Sequence, residues 1–321
     1  MKRVTLHRVA HLATWSTLAL IAFGGYTRGS GSGYGCKDRW PLCDGGAFGG
    51  YLPKLDPQMI VEWTHRWIAL LVGVLAVVIV IGAVRGKHRR SWIIGPAVAA
   101  LVVIGIQAWL GRMVVKGGLD RDLITVHLVV SMVIVALFVV ITVATRAKPV
   151  DGPGPVGWSM LIGVSAASVF SVMILGSIVH NMYFPGWPLV DGVLIPDLSD
   201  TYVAIHFLHR AATAVTFVLL VALVWQVRRH RRPLVEMYLV DGALSAFLVN
   251  GALGALHVFT QVQSSFVVAA HIGVAGLVWA ALAGAAVASL GPLGVGRPSV
   301  VRPVPADGDR LLRADVDGPG E

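Results

Sequence analysis

The stretch EWTHRWIALLVGVLAVV (62–78) has a second copy in HFLHRAATAVTFVLLVA (206–222). Each opens on a polar residue, places His-Arg three residues later and continues as an apolar run. Two further segments, LITVHLVVSMVIVALFVV (123–140) and FVVAAHIGVAGLVWAAL (266–282), carry one histidine each near their start. His65 and His127 are 62 residues apart, and so are His209 and His271. Chance supplies one matched pair easily; two pairs with equal spacing point to a duplicated unit. QAWLG (107–111) against NGALG (250–254), and GGYTR (24–28) against LGSIVH (175–180), extend the match more loosely.

Around these segments the chain is membrane-like. Of its 321 residues 56% are hydrophobic and 13% charged, which excludes an ordinary soluble domain with one core. Apolar runs occupy about 10–28, 59–84, 91–113, 122–145, 156–180, 201–227, 236–258 and 266–290, each long enough to cross a bilayer as a helix. They lack the alternation of a membrane β-barrel. The expected fold is therefore an all-α integral membrane protein. Its eight transmembrane helices form two tandem four-helix bundles related by a pseudo-twofold axis along the membrane normal. The halves are expected at 1–150 and 151–290, followed by a disordered cytoplasmic tail, 291–321, rich in Pro, Gly, Asp and Arg.

Orientation follows from the basic loops. MKRVTLHR, RGKHRR (85–90), TRAKP (145–149) and RRHRRP (228–233) alternate with loops poorer in Lys and Arg, so both termini are expected in the cytoplasm. The net charge of +9 is read as this topology signal, not as nucleic-acid binding, because the basic residues are scattered over separate loops. The first run is retained as a span, since no small-residue cleavage pattern follows it.

Both cysteines, Cys36 and Cys43, then lie in the outer loop GSGYGCKDRWPLCDG (31–45). The outer compartment of a bacterial cell membrane is oxidising, so a disulfide is expected, with two free structural thiols as the alternative. No Cys-x-x-Cys-His occurs, which excludes covalent haem attachment, and the loop has no histidine to complete a zinc site.

The even-numbered spans all run from outside to inside, which puts His65, His127, His209 and His271 at similar depth near the outer face. Ionisable residues at membrane depth are usually functional. Alternate helices of a four-helix unit are diagonal neighbours about 11–14 Å apart, enough for two imidazoles with an iron between them. The reading is two bis-histidine haems, one per half. His7, His11, His88 and His230 fall in basic inner segments and are expected at the surface, whereas His180 and His257 end spans near the outside. Arg28, Arg66 and Arg210 also lie at the outer face, where each either pairs with a haem propionate or snorkels to the interface. Glu62, one turn before His65, has His206 as its counterpart. A carboxylate beside one haem only assigns chemistry to the first half, with Glu62 binding or moving protons; the alternative is a helix cap.

GGYTRGSGSGYGCKDRWPLC (24–43), EWTHR (62–66), the second His-Arg and the single histidines at 127 and 271 together resemble the haem A synthase family. The resemblance covers all eight spans. It implies oxygen-dependent oxidation of a haem O methyl group to formyl, giving haem A for cytochrome c oxidase. By position it implies that His65 and His127 hold the substrate or product haem and that His209 and His271 hold a haem b cofactor. Glu62 matches the family's catalytic carboxylate, and Cys36 and Cys43 its outer-loop pair. It further implies haem O supplied by a haem O synthase, O2, an electron donor, membrane lipid around the spans and a homo-oligomer as a further partner. Some relatives carry a second cysteine pair before span 6; its absence here leaves that loop's rigidity unsupported. An iron held by two histidines has no open position for oxygen. Either His65 or His127 leaves during turnover or the oxidant reaches the methyl group otherwise. The main rival is a di-haem b-type electron-transfer cytochrome, which would place its haems at two depths.

Overall fold

The computed structural model describes residues 3–86, 91–146, 156–180, 186–190, 192–261 and 263–290. The expected tail, His88 and the boundary between the halves lie outside the described residues. Eight long helices are present among them: α1 (Arg3–Gly29), α2 (Pro57–Arg85), α3 (Ser91–Lys116), α4 (Arg121–Ala144), α5 (Val156–Val179), α6 (Thr201–Arg229), α7 (Leu234–Phe259) and α8 (Ser265–Ser289). All eight are long and apolar enough to cross a membrane, and the chain is a multi-pass membrane protein.

Each even-numbered helix starts on a polar cap. Asp56 accepts from the Gln58 amide, Asp120 from Asp122 and Leu123, Asp200 from Tyr202 and Val203, and Ser264 from Val267. These caps satisfy amides that the helix itself leaves unpaired. Helix α1 begins about seven residues before the expected run. The reason is packing: Leu6 and Ala10 are buried in the first-half core. His7, expected at the surface, is half-buried, its Nδ1 3.0 Å from the Thr142 carbonyl and 3.3 Å from the Thr145 hydroxyl of the α4 terminus. His11 and His230 are exposed as expected.

The helices close into two rings. In the first, α1 packs on α2, α2 on α3, α3 on α4 and α4 on α1; the same order joins α5 to α8. The halves meet through α1 with α8, α4 with α8 and α4 with α5. Exchanging each helix for its counterpart four places on leaves these pairings unchanged. Small residues make the joint close, because hydrocarbon offers no hydrophobic drive between helices and contact must come from fit. A Cβ on Gly25 would lie 3.2 Å from the Ala269 Cα, and one on Gly29 3.0 Å from the Ser265 Cα. Trp279 of α8 also donates its indole N–H to the Met132 carbonyl of α4 at 2.8 Å.

Candidate functional site

At the end where the even helices begin, the loop after α1 folds down onto α2. Cys36 and Cys43 form a disulfide and are fully buried against Met59 and Trp63. Gly35 lies so close to α2 that a Cβ there would collide with the Gln58 backbone. This approach brings the Cys36 amide within 2.6 Å of the Glu62 Oε2. The other carboxylate oxygen of Glu62 accepts from Arg66, one turn along the same helix, at 2.5 Å. Glu62 is 4% exposed and does not cap α2, a task that Asp56 performs. The capping alternative is thereby removed.

Arg66 reaches back over the loop. Its guanidinium donates to the carbonyls of Arg39, Pro41 and Leu42 at 2.9, 3.2 and 2.9 Å. The second half repeats the device: Arg210 donates to the carbonyls of Gly186 and Pro188. Both arginines therefore clasp a Trp-Pro-Leu turn, 40–42 or 187–189, in which the Trp–Pro bond is cis. Val190 stands where the first loop has Cys43, and it exchanges backbone hydrogen bonds with Val193 at 3.1 and 3.0 Å. The described part of the second loop thus has a backbone bridge where the first loop has a disulfide. Farther along, the Ser199 amide and hydroxyl hold the Asp197 carboxyl below the usual carboxylate range.

The four paired histidines lie on α2, α4, α6 and α8, diagonal to one another within each ring. Each rests against a glycine of a neighbouring odd helix. A Cβ on Gly24, Gly111, Gly176 or Gly254 would come within 3.2, 3.3, 3.1 and 3.3 Å of the rings of His65, His127, His209 and His271. Any side chain at these places would push the imidazole aside. The His271 Nδ1 lies 3.1 Å from the Asn250 carbonyl, a contact that leaves Nε2 unengaged by it. A buried ring nitrogen of His127, its Nδ1, has no hydrogen-bond partner among the described residues. Glycine-lined imidazoles, one with an unpaired buried nitrogen, suit iron of a bulky planar group better than a hydrogen-bonded core.

Polar residues one turn deeper differ between the halves. Gln107 donates from Nε2 to the His127 carbonyl at 2.9 Å and to the Ser131 hydroxyl at 2.6 Å. In the second half Asn250 and Ala275 take these places. His206, 3% exposed, occupies the position of Glu62.

The disulfide expected from the sequence is present, whereas the two turns clasped by arginine have no counterpart among the sequence expectations. The repeated Trp-Pro-Leu tripeptide was the available signal. The four cradle glycines have no role in the sequence reading, although QAWLG and NGALG display two of them, Gly111 16 residues before His127 and Gly254 17 before His271.

The chain matches the family model described as Cytochrome oxidase assembly protein (COX15-CtaA) over residues 51–287. Similar curated proteins include a Heme A synthase of Symbiobacterium thermophilum, 28% identical over 236 residues that cover 69% of this chain and 76% of that protein. A Heme A synthase of Listeria welshimeri is 28% identical over 270 residues, 78% of this chain and 87% of that one. One of Alkalihalophilus pseudofirmus is 27% identical over 273 residues, 81% and 89% of the two chains.

Proposed function

The chain belongs to the COX15-CtaA family of cytochrome oxidase assembly proteins, and from that premise we propose how its two halves divide the work of haem A synthesis. The activity is oxidation of a haem O methyl group to formyl with dioxygen, an oxidoreductase step that also consumes electrons and protons. His65 and His127 hold the substrate haem in the first ring, and His209 and His271 hold a haem b in the second. The observation that carries this assignment is the pair of glycine-lined histidine diagonals, with a carboxylate beside one of them only.

Glu62 is the catalytic residue, holding or moving a proton at its Oε atoms one turn outside His65. Arg66 and the Cys36 amide orient that carboxylate. Arg28, Arg66 and Arg210 supply positive charge toward the haem propionates; for the latter two, the Trp-Pro-Leu clasp fixes where the charge stands. The resident haem, when bound, supplies one-electron transfer. Haem O arrives from a haem O synthase, the electrons come from a separate donor, and further copies of the chain are partners in the membrane. Both termini lie in the cytoplasm of a bacterial cell, with the histidines near the outer face and the halves divided near 150/151. The electron-transfer cytochrome is disfavoured because all four even helices present their histidines at one end, leaving no second depth for an electron to reach.

Expression in a host that makes haem O but no haem A tests the activity. Extracted haems are expected to include the species in which a methyl is replaced by a formyl; haem O alone, with reductant and oxygen present, rejects it. A second expectation concerns the cradle. Gly254→Val is expected to displace the His271 ring and remove one low-spin bis-histidine haem from the optical spectrum. Because Gly254 and its neighbours touch only the second ring, the haem of the first ring is expected to stay.

A further inference from the structure

The outer end of the second ring contains more imidazoles than two ligands require. His180 follows α5 directly, and His257 lies in the last turn of α7. Their rings stand edge to face with centroids 5.8 Å apart, and His257 is perpendicular to His271 at 5.0 Å. His257 is 5% exposed. All four ring nitrogens of His180 and His257 are buried, and none has a hydrogen-bond partner on another described residue. Buried polar groups normally find partners, so a pair with none is arranged around something that brings acceptors.

The internal repeat narrows what that is. His180 lies four residues after the cradle glycine Gly176, as Arg28 lies four after Gly24. His257 lies three after Gly254, where the first half has Val114 three after Gly111. One half thus puts a cation at this rim position and the other puts two imidazoles there. Two imidazole N–H donors at one rim make a setting for an anion that accepts from both. No group of three or more His, Cys, Asp and Glu residues among the described residues is arranged to hold a metal ion.

We propose that His180 and His257 form a carboxylate-binding site at the outer rim of the second ring, and that it receives a propionate of the haem held by His209 and His271. This rests on the assignment of a resident haem to that ring. Each histidine contributes one N–H to the carboxylate. By dispersing negative charge near the iron, the two donors favour the reduced haem. They act on the resident haem alone, since the corresponding first-half positions are Arg28 and Val114.

The test uses full-length protein carrying His65→Ala and His127→Ala, purified from a host that makes haem b and no haem O, so that only the second ring is loaded. Redox titration followed optically, and the propionate bending bands in resonance Raman spectra, are compared after adding His180→Phe, His257→Phe or His257→Gln. The phenylalanine variants are expected to lower the midpoint potential and shift the propionate bands while the bis-histidine spectrum persists. His257→Gln, which keeps an N–H donor, is expected to move back toward the parent. Unchanged potential and unchanged bands in both phenylalanine variants overturn the proposal. Should the phenylalanine variants lose haem instead, recovery of haem by His257→Gln supports the site and failure to recover it overturns it. Absence of haem from the parent would overturn the resident-haem assignment itself, a result distinct from these.

Discussion

Replacing Glu62 with Gln is expected to cut haem O oxidation by about 10²- to 10⁴-fold, the range for losing a positioned proton-transfer group, while both haems stay bound. Glutamine preserves the size of the side chain and its acceptor toward the Cys36 amide. It removes the charge that meets Arg66 and the ability to exchange a proton with the substrate side. Arg66 keeps its three carbonyl partners in the Trp-Pro-Leu turn, so the loop is expected to remain closed over the first ring. The measurement is haem A formed per unit of protein, with the optical spectrum recorded on the same sample. Normal conversion by the variant would remove Glu62 from the chemistry and leave it as an anchor for the disulfide loop. A loss of conversion accompanied by loss of first-ring haem would instead mark it as a support for binding.

A second large effect is expected at the opposite end of the second ring. Glu236, fully buried in the first turn of α7, accepts from the Trp158 indole at 2.6 Å and pairs through both oxygens with Arg232 at 3.0 and 2.9 Å. Glu236→Ala leaves a largely buried guanidinium and an indole N–H without their acceptor, a change expected to cost about 3–5 kcal/mol. Thermal unfolding of the helical signal in detergent is expected to shift well below that of the parent. The double variant Glu236→Leu with Arg232→Met removes both charges together and is expected to recover much of the loss, because desolvating the pair offsets most of its attraction. A single variant as stable as the parent would show that water reaches this carboxylate. Neither residue approaches the paired histidines, since Glu236 begins the helix that His257 ends. The optical spectrum of folded protein is therefore expected to be unaltered.

Much of the architecture was legible in the chain because a bilayer makes the rule simple. A backbone in hydrocarbon must satisfy its own hydrogen bonds, so an apolar run of sufficient length is a helix whatever surrounds it. The start of α1 was less legible. Its first turns carry Arg3, His7 and Arg8 and read as a flanking segment, yet they continue the helix because Leu6 and Ala10 have a core to enter. His7 was misread for the same reason: its partners Thr142 and Thr145 are more than 130 residues away.

The four paired histidines and the asymmetry between Glu62 and His206 were open to reading from the sequence alone. They repeat at fixed intervals on helices whose direction the alternation of basic loops supplies. Which groups Glu62 and its arginine bind was decided only by the tertiary structure. The amide donor to Glu62 lies 26 residues upstream in a loop, and the acceptors of Arg66 are backbone carbonyls common to every residue type. The gathering of His180 and His257 beside His271 likewise depends on α5 and α7 ending at the same level of one ring. Periodicity along a chain determines which helices form and what they carry. Which loop atoms and helix ends come within hydrogen-bond distance is determined by packing, and packing leaves no period in the sequence.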